Sequence, residues 1–115
     1  MASTGLAGPF ILSDEKIDSV VTRVKPGTYV LGRINSDNIF IVKYVGRSDD
    51  NLNKRLHDWV GQYPNFKASY FDSAKSAYEK ECKIYHNFGD NELLDNEIHP
   101  ACPEGTYWRC PKCGK

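Results

Sequence analysis

Residues 27–46, GTYVLGRINSDNIFIVKYVG, decide how this chain folds. Two β-rich runs, Thr28–Ile34 and Ile39–Val45, flank the polar turn formers Asn35-Ser36-Asp37-Asn38, the pattern of a β-hairpin. The second run, IFIVKYV, is almost entirely β-branched or aromatic, which predicts a buried central strand. Antiparallel pairing sets the start of the first strand beside the end of the second. Tyr29 and Tyr44 are therefore predicted neighbours.

Upstream, Ser13 precedes Asp14 and Glu15, an N-cap followed by first-turn acids. Ile17, Val20, Val21 and Val24 follow at helical spacing, and Pro26-Gly27 stops that helix. Residues 1–12 read as a loose leader. Downstream, Asp49 or Asp50 is placed to cap a short helix whose Leu52, Leu56 and Val60 face the core. Residues 61–66 read as a loop and Lys67–Phe71 as a short strand. Asp72 or Ser73 caps a longer helix running to about Phe88, ended by Gly89-Asp90-Asn91. The predicted order α-β-β-α-β-α defines an α+β domain. Its expected sheet is three-stranded and mainly antiparallel, with flanking helices and a C-terminal zinc-binding tail. The expected division is a leader and helix over 1–25, a core over 26–96 and a tail over 97–115.

A length of 115 residues suits one domain, and 40% hydrophobic residues suffice for a packed core rather than a disordered chain. No apolar run approaches a membrane span, and the N-terminal stretch lacks the basic region of a secretory signal. The expected location is therefore intracellular, cytoplasmic or nuclear. There, four cysteines point to metal rather than to disulfides. A formal net charge of zero hides an asymmetry: residues 23–67 hold eight Lys/Arg against four Asp/Glu, and residues 72–104 hold three against eight. A locally basic segment of this kind suits nucleic-acid phosphates.

Three pieces carry candidate chemistry. Paired phenols at Tyr29 and Tyr44 can orient a water, and one can accept its proton, although strand tyrosines are commonly structural. Arg55, with Lys54 beside it, projects from a helix whose apolar face is already supplied by Leu52, Leu56 and Val60; its guanidinium can grip a phosphate, or simply face solvent. Glu81 lies among apolar neighbours on the long helix, where a carboxylate must be paired or hold a metal. Hard cations such as Mg2+ or Mn2+ take carboxylate oxygen.

Together these pieces resemble the GIY-YIG nuclease family from about Pro26 to Asn96. Gly27-Thr28-Tyr29 looks like the GIY element with Thr in place of Ile, and Tyr44-Val45-Gly46 like YIG. Arg47 sits where members often carry a basic residue. Asn51-Leu52-Asn53-Lys54-Arg55-Leu56 resembles the arginine helix, with one extra residue before it. Ala77-Tyr78-Glu79-Lys80-Glu81 resembles the acidic helix segment, and Asn96 the late asparagine. Trp59 stands one turn after Arg55, where a His or Tyr is frequent. The resemblance implies metal-dependent endonucleolytic hydrolysis of phosphodiester bonds, with Mg2+ or Mn2+ on Glu81. Tyr29 would activate water, Tyr44 would orient it, and Arg55 would stabilise phosphate charge. Preorganised charge of this kind is worth about 3–4 kcal/mol per group in the barrier. Arg47, Lys54 and Asn96 are the expected substrate contacts. Nucleic acid is the expected partner, DNA before RNA, with targeting through a homodimer or a separate partner and no membrane.

Cys110-Pro111-Lys112-Cys113-Gly114 is a thiolate knuckle suited to tetrahedral Zn2+. Two pairs could complete it. Cys82 and His86, at i and i+4 about 6 Å apart on one helix, are preferred because the helix presets their geometry. His99 and Cys102 are the alternative. The rival reading of the whole chain is a catalytically weak or inactive GIY-YIG-like module that uses its zinc and basic strip to bind nucleic acid or protein. A plain zinc-stabilised interaction domain is a third.

Overall fold

In the computed structural model, residues 4–96, 99–101, 106 and 108–111 are described, with backbone alone at 90 and 91. The chain runs through β1 (Ala7–Ile11), α1 (Asp14–Val20), β2 (Gly27–Ile34), β3 (Phe40–Ser48), α2 (Leu52–His57), β4 (Asn65–Tyr70), α3 (Ala74–Asn87) and α4 (Asp90–Leu93). The fold class is α+β, as expected, but the sheet has four strands rather than three, ordered β1-β4-β2-β3 and antiparallel throughout. The additional strand comes from the predicted leader. β1 pairs with β4, Phe10 opposite Phe66, and carries Pro9, a residue that sheets tolerate at an edge.

The hairpin forms with its loop held by Asn35, whose Oδ1 accepts from the backbone N–H groups of Asp37 and Ile39. The strand roles, however, are exchanged. β2 is the central strand, with its first six residues buried, and β3 lies at the sheet edge. β3 can nevertheless be apolar because its free edge is covered. Asn96 accepts from the Val45 N–H at 2.9 Å and donates to the Val45 carbonyl at 2.8 Å, and the Asp95 N–H donates to Lys43 O. A side-chain amide thus stands in for a neighbouring strand.

Helices cover both faces. On one face Tyr29, Leu31 and Phe66 of the sheet pack with Ile17 of α1 and with Leu52 and Leu56 of α2. Against α3 pack Val30, Val42 and Val45 with Ile84 and Tyr85. Thr28 Oγ1 donates to Ala77 O at 2.8 Å, pinning β2 to α3. Ser13 caps α1 as the sequence predicts, and of the two candidates for α3, Asp72 and Ser73, it is Ser73 that caps the helix. α2 is capped by Asn51 rather than by Asp49 or Asp50. Two helices end sooner than their apolar spacing predicts. α1 stops at Val20, leaving Val24 exposed, and Val60 lies beyond α2. No helix among the described residues is long and apolar enough to cross a membrane.

Candidate active site and metal centre

Gly46 explains how the two tyrosines share a site. Tyr29 lies opposite Gly46 and Tyr44 opposite Leu31, so the phenols are diagonal neighbours on the α1/α2 face. The Tyr29 ring crosses the strand over Gly46: a Cβ there would lie 2.5 Å from its Cζ and Oη. Gly27 plays a comparable part, since a Cβ would meet Leu52 Cδ2 at 2.6 Å and keep α2 from the sheet. Trp59 was missed by the sequence as a site residue. Its Nε1 donates to the Tyr29 hydroxyl at 2.8 Å, and its ring packs on Tyr44 with centroids 4.6 Å apart. Its spacing from Arg55 was the available signal.

Burial raises the Tyr29 pKa well above the usual phenol range, reinforced by Tyr44 and opposed by Trp59 and Arg55. Tyr44 is raised too, by burial and then by Glu81. Both phenols are therefore neutral near pH 7. Tyr29 accepts from Trp59 while keeping its own proton to donate. To take a proton from water, it must pass its own to another group.

Glu81 belongs to α3, on the opposite side of the sheet from the phenols. Glu81 and Arg55 act in opposite directions on both phenols, the first raising and the second lowering their pKa. Glu81 is 6% exposed, and burial pushes its carboxyl up to about 7 although Arg47 pulls it down. Arg47 donates from its Nη1 to Glu81 Oε1 at 2.6 Å and from its Nε to Asp49 Oδ1 at 2.7 Å. Its guanidinium carbon sits 5.1 Å from the Tyr78 ring centroid. Arg47, expected as a substrate contact, is here the ion-pair partner of Glu81. Lys54 and Arg55 are exposed on α2 and line a surface cleft with Ser48, Asp50, Asn51 and Asp58. Asn96, also expected at the substrate, has both amide atoms on Val45.

Cys82 of α3, His99 and Cys110 bring ligand atoms within 4.8 Å of one another, a group able to hold a metal ion. This combines one member of each expected pair with the knuckle. His86 is adjacent, its Nε2 3.1 Å from His99 Nε2. Cys102 and Cys113 lie outside the described residues. Two sulfurs and an imidazole are three of the four donors that a structural zinc takes, and its bonds of about 2.0–2.3 Å are compatible with donors this close. Carboxylate-seeking Mg2+ would not choose them. Burial pushes the Cys82 thiol up to about 12, opposed by a hydrogen bond from Tyr78; a bound cation would reverse that balance by stabilising the thiolate.

No family model matches the chain, and comparison with curated proteins and with solved structures finds no similar protein.

Proposed function

We propose that this protein is a divalent-metal-dependent endonuclease of GIY-YIG type, acting on phosphodiester bonds of nucleic acid, with DNA the first substrate to test. The observation that supports it is that the charges of Glu81 and Arg55 act on both Tyr29 and Tyr44, four residues from four different elements. In this reading Glu81 would hold Mg2+ or Mn2+, which would supply charge stabilisation at the phosphate. Tyr29 and Tyr44 would position water and relay its proton. Arg55 would bind the phosphate from the exposed side, with Lys54 raising the local positive charge. The Cys/His group would take structural zinc and hold the tail.

Cleavage of DNA and RNA, linear and branched, in Mg2+ or Mn2+ tests this. Wild type is compared with Glu81→Gln, which keeps the size of the buried group, and with Tyr29→Phe. Metal-dependent cutting lost in both variants is the expected result. Its absence in folded wild type across these substrates would favour the second reading, a binding module. That reading has an observation of its own: Arg47 already occupies Glu81.

A further inference from the structure

On the nuclease reading Glu81 takes a divalent cation, yet in the fold it already carries a cation from within the chain. Arg47 of β3 donates from its Nη1 to Glu81 Oε1 at 2.6 Å, and the two side chains are 11% and 9% exposed. Three groups hold the guanidinium: Glu81, the ring of Tyr78 one turn earlier on α3, and Asp49, whose Oδ1 accepts from Nε at 2.7 Å. Asp49 differs from the other two, because its side chain is 40% exposed and stands at the rim. A carboxylate taken out of water needs a partner, and Arg47 supplies one before any ion arrives. The donor nonetheless fits a hard divalent ion, which takes carboxylate oxygen and keeps several waters. Glu81 thus suits two cations, and both would sit on the same buried oxygen.

We propose that Arg47 is a resident counter-ion that keeps the divalent cation off Glu81 until it is displaced, an autoinhibitory contact built into the candidate site. The proposal rests on the nuclease reading in one respect, that Glu81 is the metal ligand. The two cations exclude each other because like charges on one buried oxygen repel with little screening from water. While Arg47 is in place, the apparent affinity of Glu81 for the ion is reduced by the small fraction of molecules in which the carboxylate is unpaired. Linkage makes the effect mutual: the factor that Arg47 takes from the ion's affinity, the ion takes from the Arg47–Glu81 pair. Asp49 gives the displaced Arg47 an anion to stay on. Its carboxylate already holds Nε at the rim, so Nη1 can leave Glu81 while the guanidinium keeps a partner. Nη groups released there are donors suited to a phosphate.

The test is a Mg2+ titration of the full chain, followed by NMR at the Glu81 carboxyl carbon and at the Nη1–H and Nε–H protons of Arg47. The Glu81 carbon is expected to shift, and exchange of the Arg47 Nη1–H with solvent to accelerate by about tenfold or more, at one common midpoint. The backbone amides of β2 should stay protected throughout. Folded Arg47→Met, which keeps an apolar stem beside Tyr78, should bring the Glu81 midpoint to an Mg2+ concentration about tenfold or more below that of wild type. If that variant does not fold, the wild-type titration decides alone. A Glu81 shift with the Arg47 Nη1–H unmoved would overturn the proposal, since the two cations would then share the carboxylate. So would an unchanged midpoint in folded Arg47→Met, or no response of Glu81 and Arg47 up to saturating Mg2+. The nuclease reading fails differently. Release of Arg47 by Mg2+ in a protein that cuts no substrate would keep the exchange and remove the nuclease. Metal-dependent cutting with Glu81 and Arg47 both unmoved would keep the nuclease and remove the exchange.

Discussion

The Tyr29 phenol lies over Gly46, so close that a methyl group at that position would overlap the ring. The glycine is thus a cradle for the aromatic ring, and its place in the Tyr-Val-Gly run follows from packing. Gly46→Ala should displace Tyr29, break its hydrogen bond from Trp59 and destabilise the fold by about 1–3 kcal/mol. Urea melts give the stability change. The Trp59 emission should shift at the same time, and an unshifted spectrum with unchanged stability would refute the cradle.

Arg47 and Glu81 are both nearly buried, with side chains 11% and 9% exposed. Removing one partner leaves the other charge without compensation. Arg47→Ala is expected to cost about 3–5 kcal/mol, and Arg47→Leu combined with Glu81→Leu much less. A double-mutant cycle by chemical denaturation checks this. Additive single costs would show that the pair is not coupled. Asp49, on the rim of the same network, should matter far less because it is more exposed.

Asn96 supplies the edge of β3 with the hydrogen bonds a fifth strand would have made. Asn96→Ala should cost about 1–3 kcal/mol by leaving the Val45 N–H and carbonyl without their partner. Hydrogen exchange at the Val45 amide should rise, while exchange at Leu31 in the central strand should be unaffected. A Val45 amide that stays protected would mean that something else covers this edge. Asn96→Asp should be as harmful as alanine, because a carboxylate can accept from the N–H but opposes the carbonyl.

His57 joins α2 to α1 through both ring nitrogens, Nδ1 to Asp14 at 2.6 Å and Nε2 to Asp18 at 2.9 Å. These two carboxylates raise the His57 pKa above 6.5. The sign follows from the charged form being favoured in the folded state. The stabilisation is fully present below 6.5, the unfolded value, and is lost as pH rises through the higher folded value. Melting temperature should therefore decline across that window in wild type, and His57→Gln should remove this component of the decline. An identical pH profile in the variant would show that the bridge contributes nothing.

Much of this architecture is legible locally. Ser13 and Ser73 announce their helices because a cap needs only a side-chain oxygen three residues before an N–H. The hairpin is legible because its turn residues and β-branched runs are adjacent in the chain. β1 is not, since Gly8 and Pro9 break any strand signal and only Phe10 of its five residues is even half-buried. It exists because β4 offers it an edge. The order of strands was misread for a related reason. Apolar composition reports that β3 is covered, but not whether another strand or Asn96 does the covering. The candidate site divides in the same way. Tyr29, Tyr44, Arg55 and Glu81 stood out as residue types at telling spacings, whereas Trp59 had to be seen against Tyr29.

By itself, the sequence determined the hairpin, the Ser13 cap of α1 and the presence of thiol donors in the tail. These are properties of neighbouring residues, set by backbone preference, capping and donor chemistry over a few positions. Tertiary structure alone decided that Arg47 would be spent on Glu81, that His99 would join Cys82 and Cys110, and that Tyr78 would lie between the two groups. Those outcomes depend on contacts between residues far apart in the chain. Which partner a buried charge or a thiolate finds is settled by the packing of whole elements, and no local preference encodes it.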